Sequence, residues 1–278
     1  IGNECSRALW YQFRHAWSPN FEGRMLRLFE TGDREEDRIV ANLRAVGVTV
    51  WEKDPETGMQ VRFEACGGHF AMSLDGVGEG FKESKKPHTL EFKTMNDKSF
   101  KATKSMGVKK SKPIYWAQCQ IGMHLAGLER CFFFAVNKNT DEIYGERIKL
   151  DKAEAKLLIS KAENVVFSAL PPEKLSDDPS DWRCKFCSYF AVCHGCKIPE
   201  VSCRTCSHVT PERDGTWSCA KGKPAVTCDD HLYIPQIMPS DLVLVDAGDD
   251  FVDYEDQDTG EVIRNQGNSR EIFAGRMK

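Results

Sequence analysis

The chain has 278 residues, with 38 Lys and Arg against 42 Asp and Glu, a formal net charge of −4. Apolar residues make up 41% and charged residues 29%, which excludes a collagen-like or wholly disordered chain and allows one real core plus a small satellite. No run approaches the ~20 apolar residues of a membrane helix and no basic-then-apolar leader is visible, so a soluble, cytoplasmic protein is expected; Ile1 in place of Met leaves room for residues upstream. Of twelve cysteines, eight lie between Cys184 and Cys228. In a reducing compartment such clustering points to metal ligands rather than disulfides.

Residues 1–47 read as mostly helical. Ile39, Val40, Leu43 and Val46 recur at helical spacing, and Gly47 supplies a stop. Four strand-like runs follow, at 48–52, 59–65, 69–74 and 89–94, with Gly67-Gly68 turning the second into the third. A helix is expected over 114–128 after Pro113. Strands are expected over 131–137 and 142–150, joined by the turn Asn139-Thr140-Asp141. Asp151 caps a further helix to about 162, with Glu154 as its capping-box partner. The expected class is α/β, a mixed sheet flanked by helices. The Pro-, Ser- and Asp-rich segment 171–181 reads as a linker, and 184–235 has so little periodicity that it needs metal to hold a fold. Residues 241–261 carry nine acids and no Lys or Arg, and Asp258-Thr259-Gly260 predicts a terminal hairpin.

The chemistry concentrates on two adjoining strands. Asp75 ends the run at 69–74, and Leu90-Glu91-Phe92-Lys93 lies on the next one. Strand alternation puts Glu91 and Lys93 on one face and Leu90 and Phe92 on the packed face. Two close carboxylates repel unless a divalent cation neutralises them, and hard oxygen ligands suit Mg²⁺ or Mn²⁺. A lysine beside them can orient an attacking water or stabilise developing negative charge on phosphorus. Taken alone, the same residues also describe a surface strand with an ordinary Glu–Lys neighbour pair.

Asp75 with Glu91-x-Lys93 resembles the PD-(D/E)xK nuclease superfamily, in its RecB-like and phage-exonuclease branch, which implies a restriction-endonuclease-like core. Upstream, Gly32-x-x-x-Glu36 falls where that branch has a glycine and a metal-binding His or Glu; Glu36 shares a helical face with Ile39, Val40 and Leu43. Downstream, Tyr115-Trp116-Ala117-Gln118-Cys119-Gln120 resembles the branch's glutamine helix. The Tyr expected four residues after the glutamine is absent, so either Gln118 or Gln120 carries the role. Cys184-x2-Cys187-x5-Cys193 with Cys5 far upstream resembles the cysteine layout of AddB-type and CRISPR-associated nucleases. It implies a structural [4Fe–4S] cluster clipping the two chain ends together, with a four-thiolate zinc site as the alternative. The resemblance covers residues 1–196. It implies Mg²⁺ or Mn²⁺ held by Asp75, Glu91, the carbonyl of Phe92 and Glu36, with Lys93 assisting the water.

Cys203-x2-Cys206-x12-Cys219-x8-Cys228 forms a separate set, spaced as a small zinc module over 197–235, with His208 and His231 as substitute ligands; an acidic tail follows at 236–278. The near-neutral total hides an excess: 82–112 holds ten lysines against three acids. Asn96, Lys98, Lys101, Lys104, Lys109 and Lys110 are candidates to hold DNA phosphates, and Phe100 to stack on an end base. The expected activity is that of a divalent-metal-dependent DNA nuclease, an exonuclease of phage or bacterial recombination, repair or processing. A recombination or replication protein is its candidate partner. The alternative is a non-catalytic nucleic-acid-binding protein with a metal-stapled docking module.

Overall fold

The computed structural model describes residues 1–277 apart from 19, 83 and 223–227. It divides into two units: Ile1–Gly2 with Asn20–Ala162, and Asn3–Pro19 with Glu163–Lys278. Helix α1 (Ser6–Phe13) joins the C-terminal unit, because Trp10 and Tyr11 bury in a cluster with Val192, Ile198, Tyr233 and Tyr254. No described helix is long and apolar enough to cross a membrane.

The first unit runs α2 (Gly23–Ala45), β1 (Thr49–Trp51), β2 (Arg62–Ala65), β3 (Phe70–Ser73), β4 (Gly76–Glu79), β5 (His88–Met95), α3 (Asp97–Met106), α4 (Val108–Ser111), α5 (Pro113–Leu125), β6 (Arg130–Asn137), β7 (Ile143–Lys149) and the start of α6 (Lys152–Phe167). Its sheet has the order β1-β4-β5-β6-β7, with β5 and β6 parallel and the other pairs antiparallel. Leu90 and Phe92 pack with Ile39, Val40 and Leu43 of α2, as alternation requires. Phe133 and Ala135, the register partners of Glu91 and Lys93, pack instead with Phe100, Cys119 and Met123. β2 and β3 form the expected hairpin over the turn at Cys66–Gly68, where Gly67 takes φ +70°. Asp151 caps α6 by accepting from the Ala153 and Glu154 amides.

Two features depart from the expected elements. β4, of sequence Gly-Val-Gly-Glu, lacks the apolar alternation that marks a strand. It holds its place by close approach: a Cβ at Gly78 would meet Phe81 at 3.0 Å and Leu90 at 3.2 Å. The basic stretch after β5 is helical, α3 and α4 meeting at Gly107 (φ +76°), because Asn96 caps α3 by accepting from the Ser99 amide at 2.8 Å.

The second unit adds to α1 the end of α6, then α7 (Trp182–Lys185), α8 (Phe190–Cys193), β8 (Val209–Pro211), β9 (Trp217–Cys219), β10 (Leu242–Gly248), β11 (Phe251–Asp256), β12 (Val262–Asn265) and α9 (Ser269–Ile272). β8 and β9 pair as a short ribbon, and β10-β11-β12 form an antiparallel sheet. The Asp258-Thr259-Gly260 turn joins β11 to β12; the Asp256 carboxylate accepts from the Asp258 and Thr259 amides.

Candidate active site

Asp75 sits in the link between β3 and β4, and its Oδ2 accepts from the Phe92 amide at 2.7 Å. That bond ties the carboxylate to the middle of β5. Lys93 Nζ lies 2.5 Å from Glu91 Oε1, donates to the Phe92 carbonyl at 2.8 Å, and stands 3.9 Å from Asp75 Oδ2. One ammonium therefore sits among three oxygens, two of them anionic. Glu91 is 5% exposed, Lys93 21% and Asp75 16%, so the cluster opens on the Lys93 and Asp75 side. Burial raises the pKa of Glu91, opposed by Lys93 and reinforced by Asp75. Burial works to lower that of Lys93, but Glu91 and Asp75 outweigh it and hold the ammonium well above its usual range.

Glu36, half-buried on α2, joins this group electrostatically. Burial and then the charge of Asp75 push its pKa up to about 7, partly offset by Lys93. Gln118 and Gln120 take different places. Gln120 is fully buried and its amide is spent at the β7–α6 link, donating to the Lys149 carbonyl at 3.1 Å and accepting from the Asp151 amide at 2.7 Å. Its role is to hold that junction, not to reach a substrate. Gln118 Oε1 is buried and has no hydrogen-bond partner among the described residues. Tyr115 went unassigned at the level of sequence: its ring lies 5.5 Å from Lys93 Nζ and stacks near Phe133. Its signal was the i, i+3 spacing to Gln118 on α5.

The basic stretch is less available than its composition suggests. Phe100, expected to stack on a base, is fully buried under α3 with Cys119, Met123 and Phe133, so it cannot reach one. Asn96 is occupied as the α3 cap. Lys101 pairs with Asp97, Lys104 with Glu142, and Lys109 with Glu154 while lying over Trp116. Lys98 and Lys110 are exposed.

Both cysteine sets lie in the second unit. Cys5, Cys184, Cys187 and Cys193 line one cavity of about 30 Å³ together with Arg7 and His194. Cys5 Sγ accepts from the Ala8 amide at the start of α1, while Arg7 Nε and His194 Nε2 are buried without partners among the described residues. Cys203 and Cys206 flank a 3₁₀ turn, Cys219 ends β9, and the charges of Cys228 and Cys219 act on Cys203. Burial raises the thiol pKa of Cys184, Cys193, Cys203 and Cys206, so metal binding would have to displace protons. Among the described residues, no three His, Cys, Asp or Glu side chains are drawn together as a metal-holding group. At the carboxylates, the cation present is the Lys93 ammonium. The donor chemistry of each set suits its expected ion: oxygens for Mg²⁺ or Mn²⁺, four thiols for zinc or iron–sulfur.

No protein-family model and no curated protein matches the chain. Among solved structures, the chain is similar to SSO0001 at 16% identity and a TM-score of 0.37, over 68% of this chain and 81% of that one. It is similar to LHK-Exo in complex with dAMP at 17% identity and a TM-score of 0.37, over 58% and 75%.

Proposed function

We propose that this chain is a divalent-metal-dependent deoxyribonuclease that degrades DNA from an end. The observation that carries it is the ring of Glu91 Oε1, the Phe92 carbonyl and Asp75 Oδ2 around a single cation, the Lys93 ammonium. A buried pair of carboxylates in that arrangement has a standing demand for positive charge. Mg²⁺ or Mn²⁺ bound by Asp75, Glu91, the Phe92 carbonyl and Glu36 would supply Lewis-acid polarisation of a phosphoryl oxygen and a water of lowered pKa.

The protein's own groups do the rest. The Phe92 amide fixes the direction of the Asp75 carboxylate. Lys93, displaced from between the carboxylates, donates to the attacking water or to the developing phosphorane oxygens, with the Tyr115 ring supporting its charge. Gln118 is half-buried and its Oε1 is out of solvent, so it is assigned to positioning the scissile strand only through the exposed part of its side chain. Water oxygen bonds to phosphorus, the P–O3′ bond breaks, and the proton ends on the 3′ oxygen, leaving a 5′-phosphate. Exposed Lys98 and Lys110 hold the flanking phosphates, joined by Lys101, Lys104 and Lys109 when DNA competes for their carboxylate partners. In the second unit, Cys5, Cys184, Cys187 and Cys193 are proposed to hold a [4Fe–4S] cluster or zinc, and Cys203, Cys206, Cys219 and Cys228 a zinc ion, as structural staples.

The test is degradation of end-labelled linear DNA with Mn²⁺, beside Lys93→Ala and a chelator control. Loss of cutting by about 10²–10³-fold in the variant and full loss on chelation is expected. Comparing 5′ and 3′ labels reads the polarity. A wild-type protein with loaded cysteine sites that cuts neither single- nor double-stranded DNA would refute the assignment.

A further inference from the structure

Arg14, which follows α1, is a buried cation with no carboxylate partner among the described residues. It is 1% exposed. Its guanidinium lies 5.2 Å from the Trp10 ring and 5.5 Å from the Trp217 ring. Its hydrogen bonds go to three neutral carbonyls: Ser168 at 3.2 Å, Arg204 at 3.4 Å and Val209 at 3.5 Å. Nε has no partner among the described residues. Burial, and then the nearby charge of Arg204, push its pKa down to about 10, still far above neutral, so the group keeps its charge. An unpaired buried ion costs several kcal/mol, and long bonds to carbonyls return only part of that.

Beside this charge is an open pocket of about 260 Å³, lined by Arg14 and Cys206 with Phe167, Leu170, Thr210, Ile234 and Gln236 among others; its described lining holds no Asp or Glu, and Cys206 is the one wall residue shared with the proposed zinc set. That is room for several waters or one small organic molecule. A second cation stands close by, since the Arg213 guanidinium lies 4.7 Å from the Phe167 ring. The cavity belongs to the second unit and shares no residue with the carboxylate cluster.

We propose that this cavity binds a small organic anion, with a carboxylate or phosphate-ester head facing Arg14 and Thr210 and an apolar body against Phe167, Leu170 and Ile234. The charge sets the sign of the head, the apolar walls set the body, and Gln236 and Thr210 supply neutral hydrogen bonds. The proposal is independent of the nuclease assignment.

Calorimetric titration of the full chain, without added divalent metal, tests it with benzoate, phenyl phosphate and neutral benzamide. The two anions should bind one to one and at least ~10-fold more tightly than benzamide, the worth of one charge-assisted contact. The tighter of the two identifies the head as carboxylate or phosphate ester. Ala169→Trp puts a bulky ring at an exposed lining position while leaving Arg14 in place, and should weaken binding of both anions. Arg14→Met, if its melting curve shows a folded chain, should weaken both anions at least ~10-fold and leave benzamide unchanged. Equal affinity for benzoate and benzamide would overturn the proposal. So would unchanged affinities in Ala169→Trp, or no binding by either anion up to about 10 mM.

Discussion

Glu36→Gln in the chelated protein isolates one charge of the candidate active site. Burial and Asp75 raise the Glu36 pKa from 4.5 to about 7 in the folded chain. The folded state thus binds more protons than the unfolded one between those values. A carboxylate shifted upward costs nothing below about pH 4.5, where both states are protonated, and its destabilisation grows until pH 7, where the folded form ionises too. The full shift corresponds to about 3 kcal/mol. Glu36 is half-exposed, so screening reduces this to about 1–2 kcal/mol. Glutamine keeps the shape and removes the charge. The variant should therefore match the wild type at pH 4.5 and exceed it at pH 8 by about 1–2 kcal/mol, or about 2–8 °C in the melting temperature. Groups remote from Glu36 cancel in the difference, whereas Asp75, Lys93 and Glu91 feel its charge and contribute to the measured change. Thermal melts at half-unit pH steps in excess chelator make the measurement. A variant less stable than the wild type at pH 8, or a gain that is the same at pH 4.5 and pH 8, would refute the placement of Glu36 against Asp75.

Three further outcomes are expected. Phe100→Ala should cost about 3–5 kcal/mol in denaturant unfolding, because the ring is fully buried, and should leave DNA affinity of the folded protein unchanged; a specific loss of affinity without loss of stability would contradict its burial. Gln120→Ala should destabilise by about 1–3 kcal/mol through the orphaned Asp151 amide and Lys149 carbonyl, while Gln118→Ala should lower kcat at nearly constant stability. Steady-state kinetics beside melting curves separate the two, and identical behaviour of both variants would contradict the division. Cys203→Ser should lose one equivalent of zinc by elemental analysis and lower the melting temperature, with iron content and visible absorption unchanged; retention of all metal would remove Cys203 from the proposed set.

The helical and strand periods were strong where one face is buried. Ile39, Val40 and Leu43 against Leu90 and Phe92 set both α2 and β5, and Asp151 with Glu154 marked the start of α6. Local order was legible because neighbours in sequence carry it. The Glu91-x-Lys93 spacing likewise placed both side chains on one face before any fold was known. β4 was invisible, since its glycines are chosen for contact with Phe81 and Leu90 rather than for strand propensity. The lysine-rich stretch hid two helices because its capping residue, Asn96, and its buried positions, Phe100 and Val108, are spread among ten lysines.

Residue type and spacing alone determined which groups could do chemistry: two carboxylates with a lysine, and two sets of thiols. Only the tertiary structure decided which of them are free to act. It sealed Phe100 in the core, spent Gln120 on a strand–helix junction, and buried the Gln118 oxygen with no partner among the described residues. It also buried Arg14 beside a pocket, with no carboxylate partner among the described residues, which no local pattern foretells. The physical reason is that burial and hydrogen-bond partnership are set by residues far away in the chain: Arg14 meets Ser168 and Val209, and Asp75 meets the Phe92 amide, only once the backbone has closed on itself.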